Sequence, residues 1–162
     1  MALQNGDQIP NITLLHKTAE GMGKVTLGEE MKGKNVVLLF FPAAGSSICT
    51  DEMCSVSEDW DAYKGLDADV YGVSVDSPFA LEVWAKTANI TIPLLSDFNK
   101  EAIEAFDAKY DVWVPGLFDM NGVAKRSAFV INKEGKLIHS EILESAGDMV
   151  DFTKIKEALQ GA

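Results

Sequence analysis

The chain has two cysteines, Cys49 and Cys54, and both lie in one stretch, FFPAAGSSICTDEMC, residues 40–54. Thiols can pack as small hydrophobes, clip a metal, pair as a disulfide or attack an electrophile as thiolate. The surrounding residue types narrow this choice. His16 and His139 are distant in sequence and lack the close ligand pairs of a zinc site, so no metal is expected. Cys-x-x-Cys at a helix start, the pattern of a thioredoxin-type disulfide oxidoreductase, is absent, and so is a glycine-rich phosphate loop. Two packed cysteines, a redox pair and one reactive thiol with a helper stay open.

The elements that must position these thiols are legible around them. NVVLLFF, residues 35–41, is a continuous apolar run that fits a central strand buried on both faces. After Pro42 and the small residues Ala43, Ala44 and Gly45, a polar segment runs to Lys64 with Ile48, Val56, Trp60 and Tyr63 at helical spacings. A helix starting near Ser46 or Ser47 is expected there. VYGVSVD, residues 70–76, reads as a second strand. A helix follows with Ser77 as N-cap, Pro78 at its first position and Trp84 in the core. NKEAIEAFDAKY, residues 99–110, predicts another helix. Residues 127–131 and 136–143 predict a hairpin turning at Gly135, and residues 151–160 a closing helix with Phe152, Ile155 and Leu159 on one stripe. This order of elements argues for an α/β fold, thioredoxin-like, with a central mixed β-sheet flanked by helices on both faces. With no repeat, low-complexity segment or linker, residues 1–162 read as a single domain.

Cys49 falls in the first turn of the helix that leaves the central strand. The unpaired N–H groups and positive end of a helix favour an anion, so this position favours the nucleophilic thiolate. Ser46, three residues earlier, can offer a hydroxyl to the thiolate or to an oxygen substrate, and Pro42 caps the strand and shields the pocket from water. A buried, inert cysteine is the competing reading from position alone.

Pro42, Ser46 and Cys49, with three and two residues between them, resemble the peroxiredoxin (AhpC/TSA) signature of Pro, Thr or Ser, and peroxidatic Cys. Thr50 and Glu52 resemble its usual continuation. VSVDSPFALEVWA and IPLLSDFN are similar to the family's middle section, and RSAFVINKEGKL to the segment carrying its active-site arginine, which falls on Arg126. Arg126 is flanked by apolar strand residues, and without the resemblance it reads as a solvent-facing strand start. The resemblance implies a thioredoxin-like fold and a thiol-dependent peroxidase that reduces hydrogen peroxide or organic hydroperoxides without metal, flavin, haem or other cofactor. It implies that Cys49 attacks the peroxide and passes through a sulfenic acid. Ser46 and Arg126 would aim donors at the reacting oxygens, with Lys125 pointing outward. Ser46 stands where Thr is commoner, so the hydroxyl is kept but the rotamer-restricting methyl is lost.

The spacing Cys49-x4-Cys54 resembles the bacterioferritin-comigratory, or Q-type, branch, in which the second cysteine resolves the sulfenic acid. SDFN and SAGDMVDFTKIKEAL resemble the E-type, one-cysteine branch as well. Five residues along a helix rise about 7.5 Å and turn about 140°, whereas a disulfide needs Cα atoms within about 7 Å. A resolving Cys54 therefore requires the helix start to unwind in each cycle. Two alternatives stay open: a one-cysteine peroxidase with a structural Cys54, and a non-catalytic thioredoxin-fold chaperone or redox-signalling module.

The net charge is −11, from 25 acidic and 14 basic side chains spread along the chain. That disfavours nucleic-acid and anionic-membrane partners, which need a basic footprint. The longest apolar run, residues 36–41, is too short to span a membrane. MALQNGDQIP lacks the basic start and apolar middle of a secretory signal, so a cytoplasmic location is expected. Expected partners are the peroxide and a thioredoxin-like or small-thiol reductant. Family members range from monomers to dimers and rings, and the chain is expected as monomer or homodimer. The irregular apolar stretch of residues 110–122 is a candidate pocket mouth or dimer contact. His16 and His139 are expected on solvent-facing or edge positions.

Overall fold

The computed structural model describes residues 2–145 and 147–162. Met1, inside the expected single-domain span, and Ala146, inside the segment of residues 145–159, lie outside the described residues. The chain opens with an antiparallel hairpin that was not expected, β1 (Ile12–Thr18) and β2 (Gly21–Leu27), paired from Ile12–Leu27 to Thr18–Gly21. The central strand β3 (Asn35–Phe40) is buried at all six positions because its two faces meet two cores. Val37 and Leu39 enter one; Val36, Leu38 and Phe40 enter the other.

The polar segment forms two helices rather than one, α1 (Ser47–Glu58) and α2 (Trp60–Gly65). They divide at Asp59, whose N–H is shared between the carbonyls of Ser55 and Val56 and closes α1. Strand β4 (Ala68–Ser74) follows, then α3 (Pro78–Ala88) and the short strand β5 (Leu94–Ser96). Helix α3 has the expected start, with Ser77 Oγ accepting from Ala80 N at 3.2 Å, and it ends at Asn89 in a left-handed cap. The helix expected over residues 99–110 is only α4 (Glu101–Ala105). Asp97 accepts the Ala102 and Ile103 N–H groups at 3.0 and 2.8 Å and so fixes its start, and Asp107 turns to a φ of 54° just after its end. Two short strands, β6 (Val112–Trp113) and β7 (Met120–Asn121), pair with each other. The expected hairpin is β8 (Ser127–Ile131) and β9 (Leu137–Ile142), and α5 (Phe152–Gln160) closes the chain with Asp151 as its N-cap.

The seven-stranded sheet runs β2-β1-β5-β4-β3-β8-β9. Strands β3, β4 and β5 are parallel, and the flanking pairs are antiparallel. This is the mixed, thioredoxin-like sheet that was expected. Helices α1, α2, α3 and α5 cover one face through Met53, Tyr63, Leu81, Trp84 and Ile155. On the other face α4 contributes Ala102 and Ile103, and Phe106 packs beside Phe40 and Phe129 with ring centroids 5.4 and 4.7 Å away. Gly72 lets α1 sit directly on β4: a Cβ there would lie 2.8 Å from Met53 Sδ and 2.7 Å from Leu94 Cδ2. Among the described residues no helix is long and apolar enough to cross a membrane.

Candidate active site

The C-terminal ends of β3, β4 and β5 are tied together by polar contacts, which fixes the loop entering α1. Asp76 Oδ2 accepts the Ala44 N–H at 2.8 Å and the Ser74 hydroxyl at 2.7 Å, while the Ser96 hydroxyl donates to the Asp76 carbonyl at 2.7 Å. Pro42 is buried one residue beyond the last strand contact, Phe41 N to Val73 O. Gly45 follows with a φ of 88°, which a side chain would strain, and Ser46 stands at the N-cap of α1. Its hydroxyl does not cap the helix: it donates to the Ala43 carbonyl at 3.0 Å. The first-turn N–H groups are thus left without a side-chain acceptor from the N-cap residue.

Cys49 is the third residue of α1 and has no exposed surface. Arg126 precedes β8, and the register that places Ser127 opposite Phe40 carries it to the end of β3 where α1 begins. Chain positions 77 residues apart thereby meet: Arg126 Nη2 donates to Cys49 Sγ at 3.3 Å. Nη1 donates to Glu52 Oε1 at 2.8 Å, and Glu52, three residues after Cys49, shares its helix face. Arg126 is 1% exposed and Glu52 not at all, so the solvent-facing reading of Arg126 does not hold. Burial pushes the Glu52 carboxyl up to about 7 against the opposing pull of Arg126. Its second oxygen, Oε2, is buried without a hydrogen-bond partner among the described residues, which also disfavours the ionised form. Burial works against the guanidinium charge as well, but Glu52 and Cys49 outweigh it and hold Arg126 above its ordinary value.

Lys125 takes a different direction from Arg126 and meets Glu144 in an exposed ion pair at 2.9 Å. Cys54 stands apart from this group: it is half-buried, packed against the core, and its S–H donates to the Ala88 carbonyl at 3.4 Å. Both cysteines are free thiols. His16 is half-buried on β1, and burial lowers its pKa. His139 lies on the edge strand β9, as expected, and is half-buried, with its Nε2 buried and without a partner among the described residues. In the 110–122 segment, Tyr110 and Trp113 are buried in a small cluster with Ala43 against it, while Leu117 and Phe118 are largely exposed. Asp76 carried no functional signal, since it reads as the last residue of a strand. Glu52 is legible only as part of the continuation that resembles the family's, with nothing in its own spacing to show that it pairs with Arg126. A buried arginine always requires a counter-group, and its nearest candidate was the carboxylate one turn after Cys49.

The model of the AhpC/TSA family matches residues 5–140, a span that includes Cys49, Glu52 and Arg126. The chain is 28% identical over 149 residues to the chloroplastic 2-cysteine peroxiredoxin of Chattonella marina var. antiqua, covering 88% of this chain and 72% of that protein. It is 32% identical over 146 residues to the chloroplastic 2-Cys peroxiredoxin BAS1 of Arabidopsis thaliana, covering 85% of this chain and 52% of that protein. In fold it is similar to the crystal structure of Enterococcus faecalis AhpC, with a TM-score of 0.82, 24% identity, and 99% of this chain and 92% of that one covered. It is also similar in fold to the reduced 2-Cys peroxiredoxin of Plasmodium vivax, with a TM-score of 0.83 and 22% identity over 96% of this chain and 80% of that one. A match that runs through most of the chain and through the whole buried thiol–guanidinium–carboxyl group leaves one assignment: the chain belongs to the AhpC/TSA family and is a peroxiredoxin, a thiol-dependent peroxidase.

Proposed function

We propose that Cys49 is the peroxidatic nucleophile and that it reduces hydrogen peroxide and organic hydroperoxides. The observation that carries this reading is the buried contact of Arg126 Nη2 with Cys49 Sγ at 3.3 Å. A guanidinium on the sulfur stabilises the thiolate and stays charged throughout the reaction. The thiolate sulfur attacks the terminal peroxide oxygen and the O–O bond breaks. Cys49 becomes a sulfenic acid, and the leaving oxygen takes a proton to depart as water or alcohol. Negative charge moves onto that oxygen, for which the Arg126 guanidinium and the first-turn N–H groups of Ile48 and Cys49 are the proposed donors. Because the Ser46 hydroxyl spends its proton on Ala43, its lone pairs are free to accept the peroxide O–H. The role proposed for Pro42 is to bound this site at the strand end. Cys49 has no exposed surface, so the site must open for the substrate to reach the sulfur, and the loop of residues 43–47 is the segment proposed to yield.

Cys54 is the candidate resolving cysteine. It condenses with the Cys49 sulfenic acid to a disulfide and water after the start of α1 unwinds, and thioredoxin or another thiol donor then reduces the disulfide. A second reading is favoured by its anchoring on Ala88 and its packing against the core: a structural Cys54 in a one-cysteine peroxidase. The choice between the Q-type and E-type branches follows from that role. The enzyme is further proposed to be a single cytoplasmic domain, monomeric or homodimeric. Peroxide consumption coupled to thioredoxin and thioredoxin reductase tests both readings. Cys49→Ser is expected to abolish turnover. Cys54→Ser is expected to stop recycling by thioredoxin after one equivalent, and unchanged turnover in that variant rejects the resolving role.

A further inference from the structure

Helix α1 makes a second set of contacts, on the side facing α3. Trp84 Nε1 donates to Thr50 Oγ1 at 3.2 Å, Cys54 Sγ to the Ala88 carbonyl at 3.4 Å, and the Thr91 N–H to Ser57 Oγ at 3.0 Å. All three pairs have the same separation, 34 residues. Positions 50, 54 and 57 lie on one helix face, and positions 84, 88 and 91 keep the same spacing through α3 and past its cap at Asn89. Such a register follows from two successive strand–helix units laid side by side. Strands β3 and β4 pair in parallel, and α1 and α3 cover the same face of the sheet. The first rung bears on the Cys49 turn. Thr50 Oγ1 donates its only proton to the Ser46 carbonyl at 2.8 Å while it accepts from the indole, so Trp84 is tied through Thr50 to the residue that starts α1.

We propose that these three rungs form a latch that sets how often α1 opens around Cys49. The inference rests on the peroxidatic reading of Cys49 only for its consequence, since the latch itself is a property of the reduced protein. An opening of α1 that runs from its start through Ser57 breaks all three rungs, and the equilibrium for that opening rises about fivefold for each net hydrogen bond removed. The middle rung is the Cys54 thiol. When Cys54 condenses with a Cys49 sulfenic acid, its proton leaves with the water formed and the rung is lost. The helix then relatches only after the disulfide is reduced.

Native-state hydrogen exchange on the reduced protein, without peroxide, tests the latch independently of the chemistry. In the parent, amides of residues 50–54 are expected to exchange through a local opening, faster than those of β3. Ser57→Ala, whose rung is solvent-exposed, is expected to speed them about fivefold, and Thr50→Val, which keeps the side-chain shape, at least about fivefold. The double variant is expected near 25-fold by additivity, and Ser57→Thr, which restores the oxygen, is expected to match the parent. Unchanged exchange at residues 50–54 in the variants overturns the latch. So does exchange of those amides in step with β3 in the parent, because no local opening would then exist. The same variants given one equivalent of hydrogen peroxide test the other reading. Faster opening without any Cys49–Cys54 disulfide leaves the latch standing and rejects Cys54 as the resolving cysteine.

Discussion

Replacing Arg126 with methionine is expected to slow the reaction of Cys49 with hydrogen peroxide by about 10²–10³-fold, the range for losing one preorganised charged donor from a buried site. The guanidinium is the only group observed to contact both Cys49 Sγ and Glu52, at 3.3 and 2.8 Å among the described residues. Its loss also leaves Glu52 buried without this counter-charge, which is expected to lower stability by about 3 kcal/mol at neutral pH. The figure sits at the low end of the usual range because Glu52, already pushed up to about 7, can take a proton instead. Arg126→Lys is expected to fall between the parent and methionine, since one ammonium cannot fork to sulfur and carboxylate together. Rapid-mixing kinetics with hydrogen peroxide, read beside denaturant melts, separate the two effects. An Arg126→Met protein that folds and reacts at the parent rate would contradict the role given to the guanidinium.

Glu52 carries the second large effect. Glu52→Ala removes the partner that aims Arg126 and is expected to destabilise by about 3–5 kcal/mol and to slow the Cys49 reaction by up to about 10²-fold through misplacement. Glu52→Gln keeps an acceptor and the side-chain volume, so it isolates the charge. With its carboxyl raised to about 7 by burial, folded Glu52 holds a proton more tightly than the unfolded chain does. Its contribution is therefore fully present below the ordinary carboxylate range and is lost as pH rises towards 7. The stability difference between parent and Glu52→Gln is expected to shift against the parent by about 3 kcal/mol between pH 4.5 and pH 7. Denaturant melts at intervals across that window measure it, and a flat difference would mean that Glu52 is ionised throughout.

The central part of the fold was legible because its residues satisfy two levels at once. Residues 36–41 are apolar on both faces, and a strand between two cores requires that. Ser77 and Pro78 mark a helix start by chemistry that acts locally. The N-terminal hairpin escaped because β2, GMGKVTL, holds two glycines and places Lys24 between them and its apolar end, and is fixed by pairing with β1 rather than by its own propensity. Strand β5 is three residues long and exists only through its neighbours β4 and β1. The helix expected to reach Tyr110 stops at Ala105 because the chain must turn back for β6 and β7, and a helical pattern does not encode that turn. In the site, Cys49 and Ser46 could be placed from a strand end and a helix start, both local features. Arg126 could not be placed from its neighbours alone, since its burial depends on a carboxylate 74 residues away. The α1–α3 rungs were likewise invisible, because their 34-residue register belongs to the packing of two strand–helix units.

The most direct measurement is the intact mass and thiol state of Cys49 and Cys54 after one equivalent of hydrogen peroxide, followed in time. Cys49 is expected to be oxidised first, far faster than free cysteine, consuming one peroxide per chain, with Cys54 changing only afterwards if at all. A Cys49 that reacts no faster than free cysteine, or a Cys54 oxidised before it, would contradict Cys49 as the nucleophile held by Arg126.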